Sequence, residues 1–116
     1  NFFFFLLFRC ECIDVPIYVE KPLYDFQICL LNHIYREKIV FFNRSSIAMK
    51  VQIEMPKESK KFFEFNPSLG YIQGGSKFEI WVKFIADPDL LKICKNYIKD
   101  NILTMPFKVN FCFSLS

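Results

Sequence analysis

Strict alternation of apolar and polar side chains is the sequence feature that most constrains the fold. In residues 77–84 every second position is apolar, namely Phe78, Ile80, Val82 and Phe84, and the positions between them hold Lys77, Glu79, Trp81 and Lys83. Because successive side chains of a β-strand point to opposite faces, this pattern predicts a strand with one core face and one solvent face. Residues 47–54 repeat it, with Ile47, Met49, Val51 and Ile53 on the predicted core face and Lys50, Gln52 and Glu54 outside.

Shorter extended segments, separated by turn residues, fill most of the remaining chain. The predicted segments are Ile13–Val19, Tyr24–Ile28, Glu37–Phe42, Phe62–Phe65 and Ile102–Phe113, with a short helical or irregular crossover at Leu90–Ile98. Pro16 predicts an edge or sheet-switching strand, since proline has no N–H to donate. About seven strands at intervals of roughly 8–12 residues, with at most one short helix, are typical of an all-β Greek-key sandwich.

Turn residues predict how some of these strands connect. We expect Asn43–Ser46 to be a tight turn that pairs the strand before it with the strand after it, because Asn and Ser side chains bond their own backbone. Gly70 is expected to supply a position open to positive φ, and Gly74–Ser76 to form a second turn. Asn32 and His33 mark a further turn.

The length and composition predict one folded domain of a larger protein. A chain of 116 residues with 53% hydrophobic residues buries one core, is too short for two domains and is too apolar to be disordered. The first residue is Asn1 rather than Met, so the stretch reads as an excerpt, with 1–12 as an N-terminal extension or edge strand and 13–116 as the domain. The apolar run Phe2–Phe8 lacks the features of a signal peptide and is too short to span a bilayer.

The fragments along the central part of the chain resemble the major sperm protein (PapD-like) superfamily and, within it, the ASH domains named after abnormal-spindle protein and hydin. The pieces that carry the resemblance are Phe26-Gln27-Ile28, Ile39–Ser45, Met49–Pro56, Pro67-Ser68-Leu69-Gly70-Tyr71-Ile72, Gly75-Ser76, and Phe78–Phe84 followed by Pro88. Gln27 stands where many members have Gly. The resemblance implies an immunoglobulin-like sandwich.

The same resemblance implies a non-enzymatic structural module. Its ciliary members suggest a multidomain protein of the axoneme (central apparatus) or a centrosomal microtubule-associated protein, located in the cytoplasm and cytoskeleton, whose partners are other proteins and neighbouring domains. The alternative is a cytosolic adaptor that binds short peptides. In such members a Lys-Thr-Thr stretch holds an acidic peptide, but here those positions look like Gln52-Ile53-Glu54, and the charge of Glu54 would repel that ligand.

Several groups of residues could carry chemistry, but none of them predicts an enzyme or a cofactor. Cys29 and His33 could form a nucleophile and base, but their spacing does not place them together and no third group orients them. Cys10-Glu11-Cys12 with His33 lacks the second ligand pair of a structural zinc site. Five cysteines at irregular spacing favour reduced thiols over a disulfide framework.

Phosphate and nucleic acid are not favoured either. Gly74-Gly75 precedes a predicted strand, whereas phosphate-binding loops open a helix. The net charge is only +3, and the basic residues are interrupted by acidic ones, so no continuous nucleic-acid footprint is predicted. No small-molecule substrate is expected.

Apolar side chains at predicted outward positions mark candidate partner contacts. These are Val40, Phe42 and Trp81. Single exposed apolar residues are ordinary, but a cluster on one sheet face marks a contact surface for a partner or for a neighbouring domain of the same chain.

Overall fold

Two β-sheets face each other in a sandwich, which confirms the predicted all-β fold class. The computed structural model describes residues 3–10, 17–21 and 23–113. Ten strands are formed by the described residues, more than the roughly seven predicted from turn spacing. The additional strands are short ones and the N-terminal strand, which turn signals do not reveal.

The first sheet contains six strands, in the order β3-β1-β10-β5-β7 with β9 paired to the start of β10. Their bounds are β1 Phe3–Cys10, β3 Leu23–Leu30, β5 Met49–Glu54, β7 Leu69–Ile72, β9 Ile98–Lys99 and β10 Ile102–Phe113. The second sheet has the order β2-β4-β8-β6. Its strands are β2 Ile17–Val19, β4 Ile34–Asn43, β6 Phe63–Asn66 and β8 Lys77–Ile85.

Short helices connect the sheets at two places. A 3-10 helix at Lys57–Phe62 follows Pro56 and buries Ser59 and Phe62, so this charged segment also contributes to the core. Helix α1 at Leu90–Ile93 and a 3-10 turn at Lys95–Tyr97 form the crossover predicted at Leu90–Ile98.

The N-terminal strand β1 lies inside the first sheet, not at its edge as one of the predicted alternatives had it. It pairs antiparallel with β3 and parallel with β10. Leu6 and Phe8 point into the core and are fully buried. The strand is therefore an integral part of the packing. By contrast β2, the described part of the predicted segment 13–19, is an edge strand as expected.

Pro106 occupies a place in β10 where a missing N–H is tolerated. The Phe5 N–H donates to the Asn101 carbonyl at 3.0 Å, and this register turns the backbone groups of Pro106 away from β1. On the side of β10 that faces away from β1, the strand pairs with β9 at residues 102–103 and with β5 at residues 108–113. Pro106 lies between the two, opposite no described strand, so no ladder hydrogen bond is lost.

Aromatic rings from both sheets fill the core. Phe8 stacks on Phe107 with ring centroids 4.2 Å apart and on Phe63 at 5.3 Å. Phe63 in turn packs on Phe84 at 4.9 Å, so the stack runs from the first sheet into the second. Offset stacking of this kind adds to the area that the rings bury.

Two sequence predictions about turns are wrong in detail. The turn after Asn43 does not pair its flanking strands; it carries the chain from β4 in the second sheet to β5 in the first. As a result Ile47 precedes β5 and is half exposed, outside the core face predicted for it. Gly70 needs no positive φ; it is required because a Cβ there would collide with the Phe78 ring. The positive φ of 73° belongs to Gly75, in the predicted second turn.

The described chain enters at one end of the sandwich and leaves at the other. Phe3 lies beside the start of β10, and because β1 and β10 run parallel, Phe113 lies at the opposite end. The 12-residue strand β10 is roughly 40 Å long at about 3.3 Å per residue, and the molecule measures 48 Å along its longest axis. The first and last described residues are therefore separated along the long axis of the sandwich.

Candidate functional site

The outer face of the second sheet carries Trp81, the most prominent of the predicted contact residues. Side chains of this face come from alternate positions of three strands: Ile34, Arg36, Lys38, Val40 and Phe42 of β4, Lys77, Glu79, Trp81, Lys83 and Ile85 of β8, and Glu64 and Asn66 of β6. We call this surface the Trp81 face. Trp81 lies between Lys38 and Asn66, its partners on the two neighbouring strands, and is 52% exposed.

Charged residues surround Trp81 and leave the face positive. Lys38 Nζ lies 3.2 Å from a carboxylate oxygen of Glu79, and Lys83 Nζ lies 3.4 Å from one of Glu64. Arg36 and Lys77 form no salt bridge with a described residue. The face thus holds four cations and two carboxylates, an excess of two positive charges. Exposed pairs of this kind add little stability, so these charges are available for recognition.

The structure does not bring the three predicted contact residues together on one exposed surface. Val40 is buried, and its carbonyl accepts a hydrogen bond from the Glu20 N–H at 2.8 Å, beside the edge strand β2. Phe42 is half-buried and lies opposite Tyr18 of the same strand. Only Trp81 is open to a partner. The long-range pairing of β2 with β4, which local alternation does not reveal, accounts for the difference.

The thiol and imidazole considered for catalysis have separate partners. Cys29 is fully buried, and its Sγ lies 3.9 Å from the Phe26 carbonyl oxygen and 3.8 Å from that of Gln27. The exposed His33 ring places Nδ1 3.0 Å from the Leu31 carbonyl oxygen. In the part of the chain that the structure describes, no three His, Cys, Asp or Glu side chains are grouped to hold a metal. The Cys10-Glu11-Cys12 side chains lie outside that part.

Burial controls the chemistry of the cysteines. Desolvation, together with the nearby charge of Asp25, raises the pKa of Cys29 from 9.0 to about 11, and burial likewise raises the pKa of Cys94. A raised pKa means that the protonated thiol stabilises the fold below pH 9. This contribution is lost as the pH rises through about 11.

We therefore expect Cys29 to react with iodoacetamide at pH 8 at least about 100-fold more slowly in the native protein than in urea. Two pKa units lower the thiolate fraction about 100-fold, and burial slows access further. Peptide mapping by mass spectrometry measures each site, and Cys94 should show the same direction. Equal labelling of native and unfolded Cys29 would contradict the burial described here.

A groove on the first sheet was not indicated by the sequence. It has a volume of about 1000 Å³ and runs along β10 beside Pro106. Its lining includes three basic residues, Arg9, Lys99 and Lys108, and three acidic residues, Glu54, Glu58 and Asp100. Glu54 also accepts a hydrogen bond from Asn110. The balanced charges select no class of ligand.

The matched family and the fold agree. Residues 17–112 match the family described as the CFAP74 third Ig-like domain, a segment that contains β2 and nearly all that follows it. The chain belongs to this family. An Ig-like domain agrees with the sandwich described above, and the CFAP74 third Ig-like domain family is of a non-enzymatic kind. Strand β1 lies outside the matched segment.

Three relatives carry the name cilia- and flagella-associated protein 74. The protein of Chlamydomonas reinhardtii is 45% identical over 85 residues, which cover 73% of this chain and 4% of that protein. The human protein is 36% identical over 99 residues, 84% of this chain and 6% of its own length, and the mouse protein is 33% identical over 94 residues, 79% and 6%. The chain thus spans less than a tenth of these relatives. Their name agrees with the predicted ciliary setting.

Within the described ranges, the helices of this CFAP74-type domain are all too short to cross a membrane.

Proposed function

We propose that the chain is a non-enzymatic structural module of a multidomain protein in the ciliary or flagellar axoneme. We place this protein in the central apparatus and assign the sandwich to the ASH type of domain. The observation that carries the proposal is the exposed Trp81 on a positive sheet face. Support also comes from the family and from the ciliary name of relatives that share 33–45% identity. The module uses no cofactor, substrate or nucleic acid.

The module acts as a rigid spacer as well as a docking surface. Its chain enters and leaves at opposite ends of the 48 Å long axis, so neighbouring parts of a longer protein are held apart. The long strands β10 and β4, of 12 and 10 residues, make this spacer stiff, because bending it would break hydrogen bonds in both sheets. Docking faces on its flanks are then presented at fixed intervals.

The Trp81 face fits an acidic protein surface. Tryptophan is enriched among residues that dominate binding energy, because its large ring loses much exposed area to a partner. The excess of two positive charges around it favours a negatively charged neighbour and disfavours a basic one. Lys38 and Glu79 form a salt bridge beside the ring, whereas Arg36 and Lys77 supply the excess positive charge of the face.

Replacing Trp81 with alanine in the full-length protein is expected to weaken its binding to axonemes at least tenfold. Removal of a central aromatic contact costs about 2 kcal/mol or more at such a site, and every 1.4 kcal/mol is tenfold. The affinity is measured by sedimentation with axonemes prepared from cells that lack the protein.

A matched control tests whether the effect belongs to this face. Tyr71 lies on the outer face of the first sheet and is 56% exposed, close to the 52% of Trp81. Tyr71→Ala should leave the affinity within about twofold of wild type, since surface substitutions away from a contact have small effects. If Trp81→Ala binds like wild type, or both variants lose affinity equally, the Trp81 face is not the docking surface.

A further inference from the structure

An exposed apolar patch lies on the first sheet, on the side of the molecule opposite the Trp81 face. It consists of Phe5, Ile28, Leu30 and Ile102, with the half-buried Leu7 beside them, and we call it the β1 patch. Ile28, Phe5 and Ile102 form one row across three neighbouring strands and are 52%, 38% and 37% exposed. Strands lie about 4.8 Å apart, so the row is roughly 10 Å wide. Contiguous apolar surface of this kind marks an interaction site, whereas scattered residues do not.

A β-bulge at Gln27 creates this exposure. The alternation of Tyr24, Phe26, Ile28 and Leu30 would put all four side chains in the core of a regular strand. The register of β3 against β1 shifts between Leu6 and Leu7, so the strand buries Tyr24, Phe26 and Cys29 and turns Ile28 and Leu30 outward. One extra residue therefore moves two aliphatic side chains from the core to the surface.

The bulge is held in place at a cost in backbone conformation. Gln27 has φ 60°, in the left-handed region that a residue with a Cβ rarely adopts. Its N–H donates to Asp25 Oδ1 at 2.7 Å, which stabilises the bulged conformation. A strained conformation that exposes Ile28 and Leu30 indicates a surface with a use, since the regular strand would bury both.

The described chain begins beside this patch. Phe3, the first residue of β1, pairs with Leu30, and Phe5 lies two residues further on in the centre of the exposed row. The backbone at the start of β1 therefore lies at the border of the patch. The relatives are far longer than this chain, which covers 4–6% of them, and the matched family is the third Ig-like domain of its protein.

We infer that the β1 patch is the docking surface for the Ig-like domain that precedes β1 in the full-length protein. The covalent connection through β1 favours a domain of the same polypeptide over a separate molecule. Two surfaces carried by one polypeptide meet at a high effective concentration, which reaches the millimolar range for short flexible linkers, so a patch of modest size suffices for a stable contact. This contact fixes the angle between consecutive modules, and it stands apart from the proposed role of the Trp81 face.

Photocrosslinking within the full-length protein tests the inference. A benzophenone amino acid replaces Ile28 in one sample and Tyr71 in a second; Tyr71 is similarly exposed on the same sheet but lies on β7, at the far edge. Crosslinked peptides are mapped by mass spectrometry in an equal mixture of ordinary and ¹⁵N-labelled protein. We expect the Ile28 probe to join the preceding domain of the same polypeptide, at a yield at least tenfold above that of the Tyr71 probe.

Each other outcome overturns the inference. Crosslinks of mixed isotope composition would show that a second copy covers the patch. Crosslinks to a different protein in reconstituted axonemes would show an external partner, and an Ile28 yield equal to that of Tyr71 would show an open surface. These results leave the axoneme affinity of the Trp81 variant untouched, so the two proposals fail separately.

Discussion

Replacing Phe8 with alanine is expected to destabilise the domain by about 3–5 kcal/mol, the usual cost of removing a large aromatic side chain from a packed core. Phe8 is fully buried between the two sheets. Its ring stacks on Phe107 at 4.2 Å and on Phe63 at 5.3 Å, and it meets Phe26 edge-on at 6.4 Å. The truncation leaves a cavity lined by rings from three strands, β3, β6 and β10, and urea denaturation followed by circular dichroism measures the loss.

Phe111 provides the control for this measurement. It lies on β10 and is partly exposed, so Phe111→Ala should cost about 1 kcal/mol. The comparison also tests whether β1 belongs to the fold, because β1 lies outside the segment that matches the family. Equal losses for the two variants would show that β1 does not complete the core.

Local patterns predicted the strands whose two faces have different environments. The alternation at 77–84 gave β8 the correct core face, with Ile80, Val82 and Phe84 buried and Trp81 outside. The predicted strand Ile102–Phe113 has the bounds of β10. In both cases neighbouring residues contain the information, because burial alternates along the strand itself.

Features that depend on distant pairing escaped prediction. The consecutive apolar residues of β1 have no period, and only its position between β3 and β10 decides that Leu6 is buried while Phe5 is exposed. The bulge at Gln27 interrupts an alternation that the sequence continues without a break. Val40 likewise occupies an outward position of β4 in the alternating pattern, but it is buried because the chain at β2 and Glu20 lies beside it. Of the three predicted contact residues, Trp81 is thus the exposed one, and its role as a contact stays a prediction.

Asn43 ties the two sheets together, although the sequence indicated only a turn there. It ends β4 in the second sheet and is almost fully buried. Its Nδ2 donates to the Ile47 carbonyl at 2.8 Å and to the Ile72 carbonyl, in β7 of the first sheet, at 2.9 Å. Its Oδ1 accepts hydrogen bonds from the backbone N–H of Ser45 at 3.0 Å and from its hydroxyl at 2.7 Å. One side chain thus satisfies four polar groups at the crossing between sheets.

Replacing Asn43 with alanine is accordingly expected to cost about 2–4 kcal/mol, because the buried Ile72 carbonyl loses its side-chain donor and the Ser45 groups lose their shared acceptor, whereas the Ile47 carbonyl keeps the Ser45 hydroxyl. Asn43→Asp should cost at least as much: it has nearly the same shape, but its carboxylate cannot donate and would face two carbonyl oxygens. Ser45→Ala, which removes a half-buried hydroxyl of the same turn, should cost about 1 kcal/mol or less. Urea denaturation ranks the three variants. If Asn43→Asp were as stable as Ser45→Ala, the amide would not be the donor that joins the sheets, and the turn alone would hold β4 against β7.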